Sequence, residues 1–204
     1  MARIRARVRA QRHIYIHNSI SNAAHYFKNR VSDRIANDDH EGVGLEIIAG
    51  LTLLAFSVEA HFNFLGHKLI QNWNERCGVQ EKIELVCKQL SVTPDFISRP
   101  FSSIEKLREF RNTLAHGKPE EIEIDKEVIA KAEELEALGI PSPDWEGYVD
   151  ETFFIEAYED IDKIWKDLLE RSGLSLFDTL THGTSSIEFI EHVEDEPRQP
   201  ASSS

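Results

Sequence analysis

The chain has 204 residues, 41% of them hydrophobic, with 3 Trp, 11 Phe and 4 Tyr, which is enough for one domain with a sizeable core and too many for a disordered chain. Its formal net charge of −13 is unevenly spread: residues 1–34 hold eight Arg and Lys against Asp33 alone, a net +7, which leaves −20 for the rest. An acidic body repels nucleic acid over most of its surface, which excludes a general nucleic-acid binder and leaves room only for a local basic cleft.

The opening segment, MARIRARVRAQR, leads into HIYIHNSISN and not into the apolar core of a secretory signal. Residues 1–17 are therefore expected to form a solvated basic arm, with a mitochondrial presequence as the less favoured reading. This arm is the only stretch with alternation at period two. From Asn18–Ser19 a helical pattern runs through Ile20, Ala23, Ala24, Phe27 and Val31 and ends near NDDHEGVG. A longer pattern from about Leu45 to about Trp73 is apolar on most sides, as expected of a central helix. Its richest run, IIAGLTLLAF, falls short of the roughly 20 residues of a membrane helix and is followed by Glu59, His61 and Asn63. No membrane partner is expected. The two cysteines, Cys77 and Cys87, lack CxxC spacing and read as reduced thiols of a cytoplasmic protein.

Residues Val79–Leu90 form a shorter amphipathic segment, and SVTPDFISRP reads as loop. A fourth helix starts at Ser102 or Ser103, with Ser102 and Glu105 in capping-box spacing. Its apolar face is Ile104, Leu107, Phe110, Leu114 and Ala115, and Gly117 with Pro119 is its stop signal. Residues 118–150 form an acidic insertion with one short solvated helix at 126–137. A final helix at about 151–171 presents Phe154, Ile161, Ile164, Trp165 and Leu168. The expected organisation is a basic arm (1–17), a helical domain (18–172) and a largely disordered tail (173–204). The expected fold is all-α, a bundle of four to five helices.

The end of the fourth helix, FRNTLAHGKP (110–119), holds the chemistry-bearing residues. Asn112 and His116 lie four apart and share a helix face, and Arg111 can bend its long side chain towards the same cleft. RNA cleavage without a metal needs a base for the 2′-OH proton, an acid for the leaving 5′-oxygen and a cation for the phosphoryl oxygens. Histidine can take either proton role, and arginine matches two phosphate oxygens with its fork. One Arg–His set lacks the second proton-transfer group, so two copies across a dimer axis form a more complete site. The competing reading is a polar helix end, with His116 simply favoured by the negative end of the helix dipole.

RNTLAH fits the Arg-x(4–6)-His motif of the HEPN family (higher eukaryotes and prokaryotes nucleotide-binding), and LLAFSVEAHFNFLG (53–66) resembles that family's second helix, with Glu59 and Asn63 as its acidic residue and asparagine. KIELVCKQL and SSIEKLREFRNTLAHGKP then resemble its third and fourth helices in order. The resemblance covers roughly 18–171. It implies a HEPN-like helical bundle that acts as a homodimer with both motifs at the interface. It further implies a metal-independent endoribonuclease, with no cofactor, leaving 2′,3′-cyclic phosphate ends on an RNA substrate. The setting would be a toxin–antitoxin pair or defence, the partner a nucleotidyltransferase-like antitoxin. Carried over by position, Arg111 binds the scissile phosphate, His116 is acid or base, Asn112 orients phosphate or histidine, and Arg108 adds a substrate contact. Other members of the family are catalytically silent, so a non-catalytic dimeric interaction module is the alternative.

Glu59 and Asn63 read either as an ordinary buried hydrogen-bonding pair or as a brace for the motif. His13 and His17 have the spacing of a helical metal pair but no third ligand nearby. No GxSxG, P-loop, HExxH or dinucleotide loop occurs.

Overall fold

A computed structural model of the chain describes residues 3–125, 127–129, 131 and 141–193. Among these lie five α-helices: α1 (Ile16–Ala36), α2 (Val43–Leu69), α3 (Val79–Gln89), α4 (Ser102–His116) and α5 (Glu151–Ser172). α2 packs against each of the other four. It buries Leu51, Leu54, Val58, Phe62 and Leu65, which is why its sequence is apolar on most sides. By length and composition α2 could cross a membrane, a property hidden when only the run IIAGLTLLAF is counted. Here its apolar residues meet Ala24 and Val31 of α1, Ile83 and Val86 of α3, Leu107 and Phe110 of α4, and Phe154 and Ile161 of α5 in one core.

Gly50 sets how closely α5 approaches α2. A Cβ at this position would lie 2.2 Å from Cζ of Phe154, a ring with no solvent exposure. Overpacking of this kind costs about 1–3 kcal/mol, more than the roughly 1 kcal/mol that alanine gains over glycine inside a helix. Gly50→Ala is therefore expected to lower the thermal unfolding midpoint by a few degrees; an unchanged or raised midpoint in a melting scan would mean that Phe154 can turn aside.

The all-α expectation is corrected by a two-stranded antiparallel sheet, β1 (Arg3–His13) against β2 (His182–Val193). The arm expected to be solvated is thus a strand. The tail expected to be largely disordered from 173 onward contributes its partner, and residues 194–204 lie outside the described residues. Alternation is clear in β1, where Arg3, Arg5, Arg7 and Arg9 interleave with Ile4, Ala6, Val8 and Ala10. In β2 it starts properly, with Ile187 opposite Val8 and Phe189 opposite Ala6, and then slips. Ile190 is an extra residue, because Ala6 pairs with Phe189 and Arg5 already pairs with Glu191. This bulge breaks the period that would have announced the strand.

Arg5 pairs with Glu191 at 2.6 Å and Arg9 with Glu188 at 3.1 Å, all of them exposed. Such pairs add little to stability. The ribbon is anchored at its base. The Tyr15 backbone N–H donates to Thr181 Oγ1 (3.1 Å), Asn18 Nδ2 donates to the Thr179 carbonyl (2.6 Å), and the His13 ring stacks on His182 at 4.8 Å. Because His13 belongs to β1 and His17 to α1, the helical metal pair considered for them does not form. Among the described residues no three His, Cys, Asp or Glu side chains gather as a metal-binding set.

Two local expectations also change. α4 has Phe101 at its N-cap with no side-chain cap, so Ser102 and Glu105 form no capping box. The adjacent Ser103 hydroxyl instead donates to Asp160 Oδ2 of α5 at 2.6 Å, an oxygen that Arg99 Nε also reaches at 2.8 Å. The short helix expected at 126–137 lies largely outside the described residues.

Candidate functional site

α4 places the RNTLAH residues by its apolar spacing. Ile104, Leu107 and Phe110 are buried, so Arg111 and Asn112 fall at the edge of the core and are half-buried, and His116 is exposed in the last turn. The helix stops where expected: Gly117 adopts φ 48°, in the left-handed region that suits glycine, and its N–H donates to the Thr113 carbonyl at 3.1 Å.

Arg111 lies over the ring of Phe56 of α2, with Cζ 5.9 Å from the ring centroid, a cation–π contact worth about 0.5–1 kcal/mol where exposed. Phe56 itself is 43% exposed. Among the described residues, none of the Arg111, Asn112 and His116 side chains is tied up by an ion pair or hydrogen bond, although the chain has 36 Asp and Glu. Arg30 and Arg34 share Glu46, Arg99 meets Asp160, and Arg171 meets Asp167, whereas Arg76, between α2 and α3, has no carboxylate partner among the described residues either. Arg108 is engaged by Glu105 one turn earlier. Of the two arginines on which a basic cleft was expected, Arg111 alone is without a carboxylate partner among the described residues, and neither lines one of the larger cavities: Arg108 is held by Glu105 and Arg111 lies on Phe56.

The acidic insertion returns to α4 on another side. Tyr148, in a 3-10 turn at Asp144–Tyr148, donates its hydroxyl to Glu109 Oε2 at 2.9 Å and packs its ring edge-on against Phe110. Burial, then the Glu109 carboxylate, pushes the Tyr148 phenol above its ordinary pKa. Glu109 lies two residues before Arg111, and so across the helix from it. The Tyr148 contact therefore lies on the face of α4 away from Arg111.

Glu59 and Asn63, for which a mutual hydrogen bond was one of two readings and a brace for the motif the other, are not bonded to each other. Glu59 Oε1 accepts from Lys82 Nζ of α3 at 2.7 Å, and Lys82 is only 2% exposed. Asn63 Oδ1 is buried with no hydrogen-bond partner. Both residues line a groove of about 570 Å³ between α2 and the junction of β1 with α1, and Phe56 lines it too. The site thus extends from Arg111 across Phe56 to Asn63.

Sequence reasoning missed three parts of this arrangement. One is Lys82, which lies three after Val79 and four before Val86 and so on their apolar face. Tyr15 and His17 were assigned to the arm, yet they close the groove. His17 is 2% exposed, and burial lowers its pKa to about 4. His61 sits behind it, stacked on Trp165 at 4.3 Å, with Nε2 2.9 Å from Ser21 Oγ. Burial, and then the neighbouring His17, lowers the His61 pKa to about 3. Compared with models of protein families, with curated proteins and with solved structures, the chain matches none.

Proposed function

We propose that the protein is a metal-independent endoribonuclease of HEPN type that acts as a homodimer, with Arg111, Asn112 and His116 of each copy at the shared site. The observation that carries the reading is the uncommitted state of these side chains. In so acidic a chain, an arginine at a helix edge serving only stability would be expected to hold a carboxylate, as Arg108 and Arg99 do. A guanidinium meant for a phosphate needs to be kept from such partners. His116, exposed one turn beyond Asn112, has the solvent access a proton-transfer group needs.

In the proposed reaction one histidine takes the proton from a ribose 2′-OH. The 2′-oxygen attacks the adjacent phosphorus, and Arg111 holds the non-bridging oxygens as charge builds on them. The bond to the 5′-oxygen breaks, and the histidine of the second copy supplies that oxygen's proton. The products are a 2′,3′-cyclic phosphate and a 5′-hydroxyl. A toxin–antitoxin or defence setting, a nucleotidyltransferase-like antitoxin as partner and a cytoplasmic location belong to the same proposal.

The test is cleavage of a mixed RNA in EDTA by the wild type, Arg111→Ala and His116→Ala, after circular dichroism and gel filtration have shown that all three fold and dimerise. Cyclic-phosphate products are expected from the wild type, with a loss of at least about a hundredfold in both variants. Equal cleavage by all three, or none by any, overturns the nuclease and leaves a non-catalytic interaction module built on the same helix end.

A further inference from the structure

The ribbon is an unfinished sheet. Two strands alone are marginal in water, and gain independent stability from a third strand or from a helix against their face. Here β1 pairs with β2 alone, and nearly every residue of both strands is exposed. The outer edge of β1 is therefore a row of backbone N–H and C=O groups open to a further strand. Its side chains are ordered. Arg3, Arg5, Arg7 and Arg9 lie on one face, and Ile4, Ala6 and Val8 on the other. β2 sets Glu188 and Glu191 among the arginines, four positive charges against two negative, so that face keeps a positive excess.

A strand that completes this edge needs acids at alternate positions, with apolar side chains between them. The chain holds such a run at EIEID, residues 121–125, where Glu121, Glu123 and Asp125 alternate with Ile122 and Ile124. At five residues it is too short to stand out in the sequence beside the arginine strand. The run is exposed, belongs to no helix or strand, and its acids hold no ion pair among the described residues. Other occupants fit less well. β1 of another copy would set arginine against arginine. A nucleic-acid strand would meet the arginines and leave Ile4, Val8 and the backbone edge uncovered. The last residues, EDEPRQPASSS (194–204), have acids without alternation and no large apolar side chain.

We propose that the outer edge of β1 is a docking site for residues 121–125 of a second copy of the chain. The segment adds a third strand, with its acids among the arginines and its isoleucines beside Ile4, Ala6 and Val8. Within one chain the two runs are not paired. Two copies supply each other's complement reciprocally, so that one two-fold axis makes two such sheets. The interface stands on charge and pattern alone and does not rest on the nuclease reading. It does bring the second copy's arginine strand to within about 18 Å of His116, the reach of five extended residues.

The measurement is sedimentation velocity on the full-length chain and two charge reversals, Glu121→Lys with Glu123→Lys and Arg3→Glu with Arg7→Glu. The acids lie in an exposed segment outside the helices and strands. Of the arginines, Arg3 faces Val193, and Arg7 is the more distant partner of Glu188, at 3.9 Å against 3.1 Å for Arg9. Both reversals therefore leave the ribbon's shorter ion pairs in place, which circular dichroism and melting scans check. The wild type is expected to sediment as a dimer, and each reversal alone to weaken that dimer by at least about tenfold. An equimolar mixture of the two variants should recover it, because the reversed strand of one chain then meets the reversed segment of the other. A monomeric wild type, a folded variant that dimerises as tightly as wild type, or a mixture that stays monomeric overturns the docking edge. A dimer that survives both reversals and still cleaves RNA loses only this edge. A dimer that responds as expected and cleaves no RNA loses only the nuclease.

Discussion

At about pH 4.5 the protein is expected to unfold in markedly less urea than at about pH 7, because His61 and His17 are buried in their neutral forms. In the unfolded chain both histidines titrate near 6.5. In the folded chain burial, with His17 as a further cause for His61, lowers them to about 3 for His61 and about 4 for His17. Below pH 6.5 the unfolded state therefore takes up protons that the folded state refuses. The stabilisation is fully present above that pH and is lost as pH falls towards 4. At about 1.4 kcal/mol per unit, two units of pH remove about 3 kcal/mol through His61. His17 acts in the same direction. Against a typical total of about 5–15 kcal/mol, this is a large fraction. Carboxylates held low by their partners, such as Glu46 beside Arg30 and Arg34, lose their contribution only below about pH 4.5, so the histidine window lies above theirs. His61→Phe keeps a ring against Trp165 and removes the titration, so its midpoint should vary less with pH. A wild-type midpoint that is the same at both pH values would show that His61 is not buried neutral.

The second large effect is expected from Glu59→Leu. Its carboxylate is the hydrogen-bond and ion-pair partner of Lys82 Nζ, in a side chain with only 2% exposure. Removing Glu59 leaves an ammonium in the core, at a cost of about 3–5 kcal/mol. The pair is asymmetric. Glu59 retains 33% exposure, so Lys82→Met leaves a carboxylate that water can reach, and should cost less. Replacing both, as Glu59→Leu with Lys82→Met, should recover most of the loss, because an apolar pair of similar volume often matches a buried ion pair. Urea titrations of the four proteins close a double-mutant cycle. Equal losses in the two single variants, or simple addition in the double one, would mean that the two charges are not coupled.

The helices were legible because the core demands a simple pattern. Ala24 and Val31, or Leu107 and Phe110, recur at helical spacing wherever a face meets α2. The end of α4 was legible for a different reason, since a glycine followed by proline leaves the chain few ways to continue. What was hidden depends on pairing between distant segments. β2 has no periodicity of its own once Ile190 bulges, and only the arginine arm explains it. Ser102 looked like a capping residue from its spacing to Glu105, but Phe101 stands at the N-cap, and the neighbouring Ser103 donates to Asp160 of another helix. At the site, Arg111, Asn112 and His116 could be named from their spacing, and the placement of Arg111 over Phe56 required the fold. Lys82 was not legible as a buried residue because lysine is so seldom buried, and its ion pair with Glu59 of another helix needs the fold.

The ribbon also sets the order in which the chain can be completed. Among the described residues β1 precedes the five α-helices and β2 follows them, with Arg3 opposite Val193. During synthesis the arginine strand emerges first and waits, without its partner, while the entire helical bundle is made. For that time it is an open edge, the kind of segment that recruits other chains. Its alternating positive charges repel a second copy laid alongside, as charged edge strands do in general. The arginines therefore have a purpose before the protein is finished: they keep the first strand unpaired until the last one arrives.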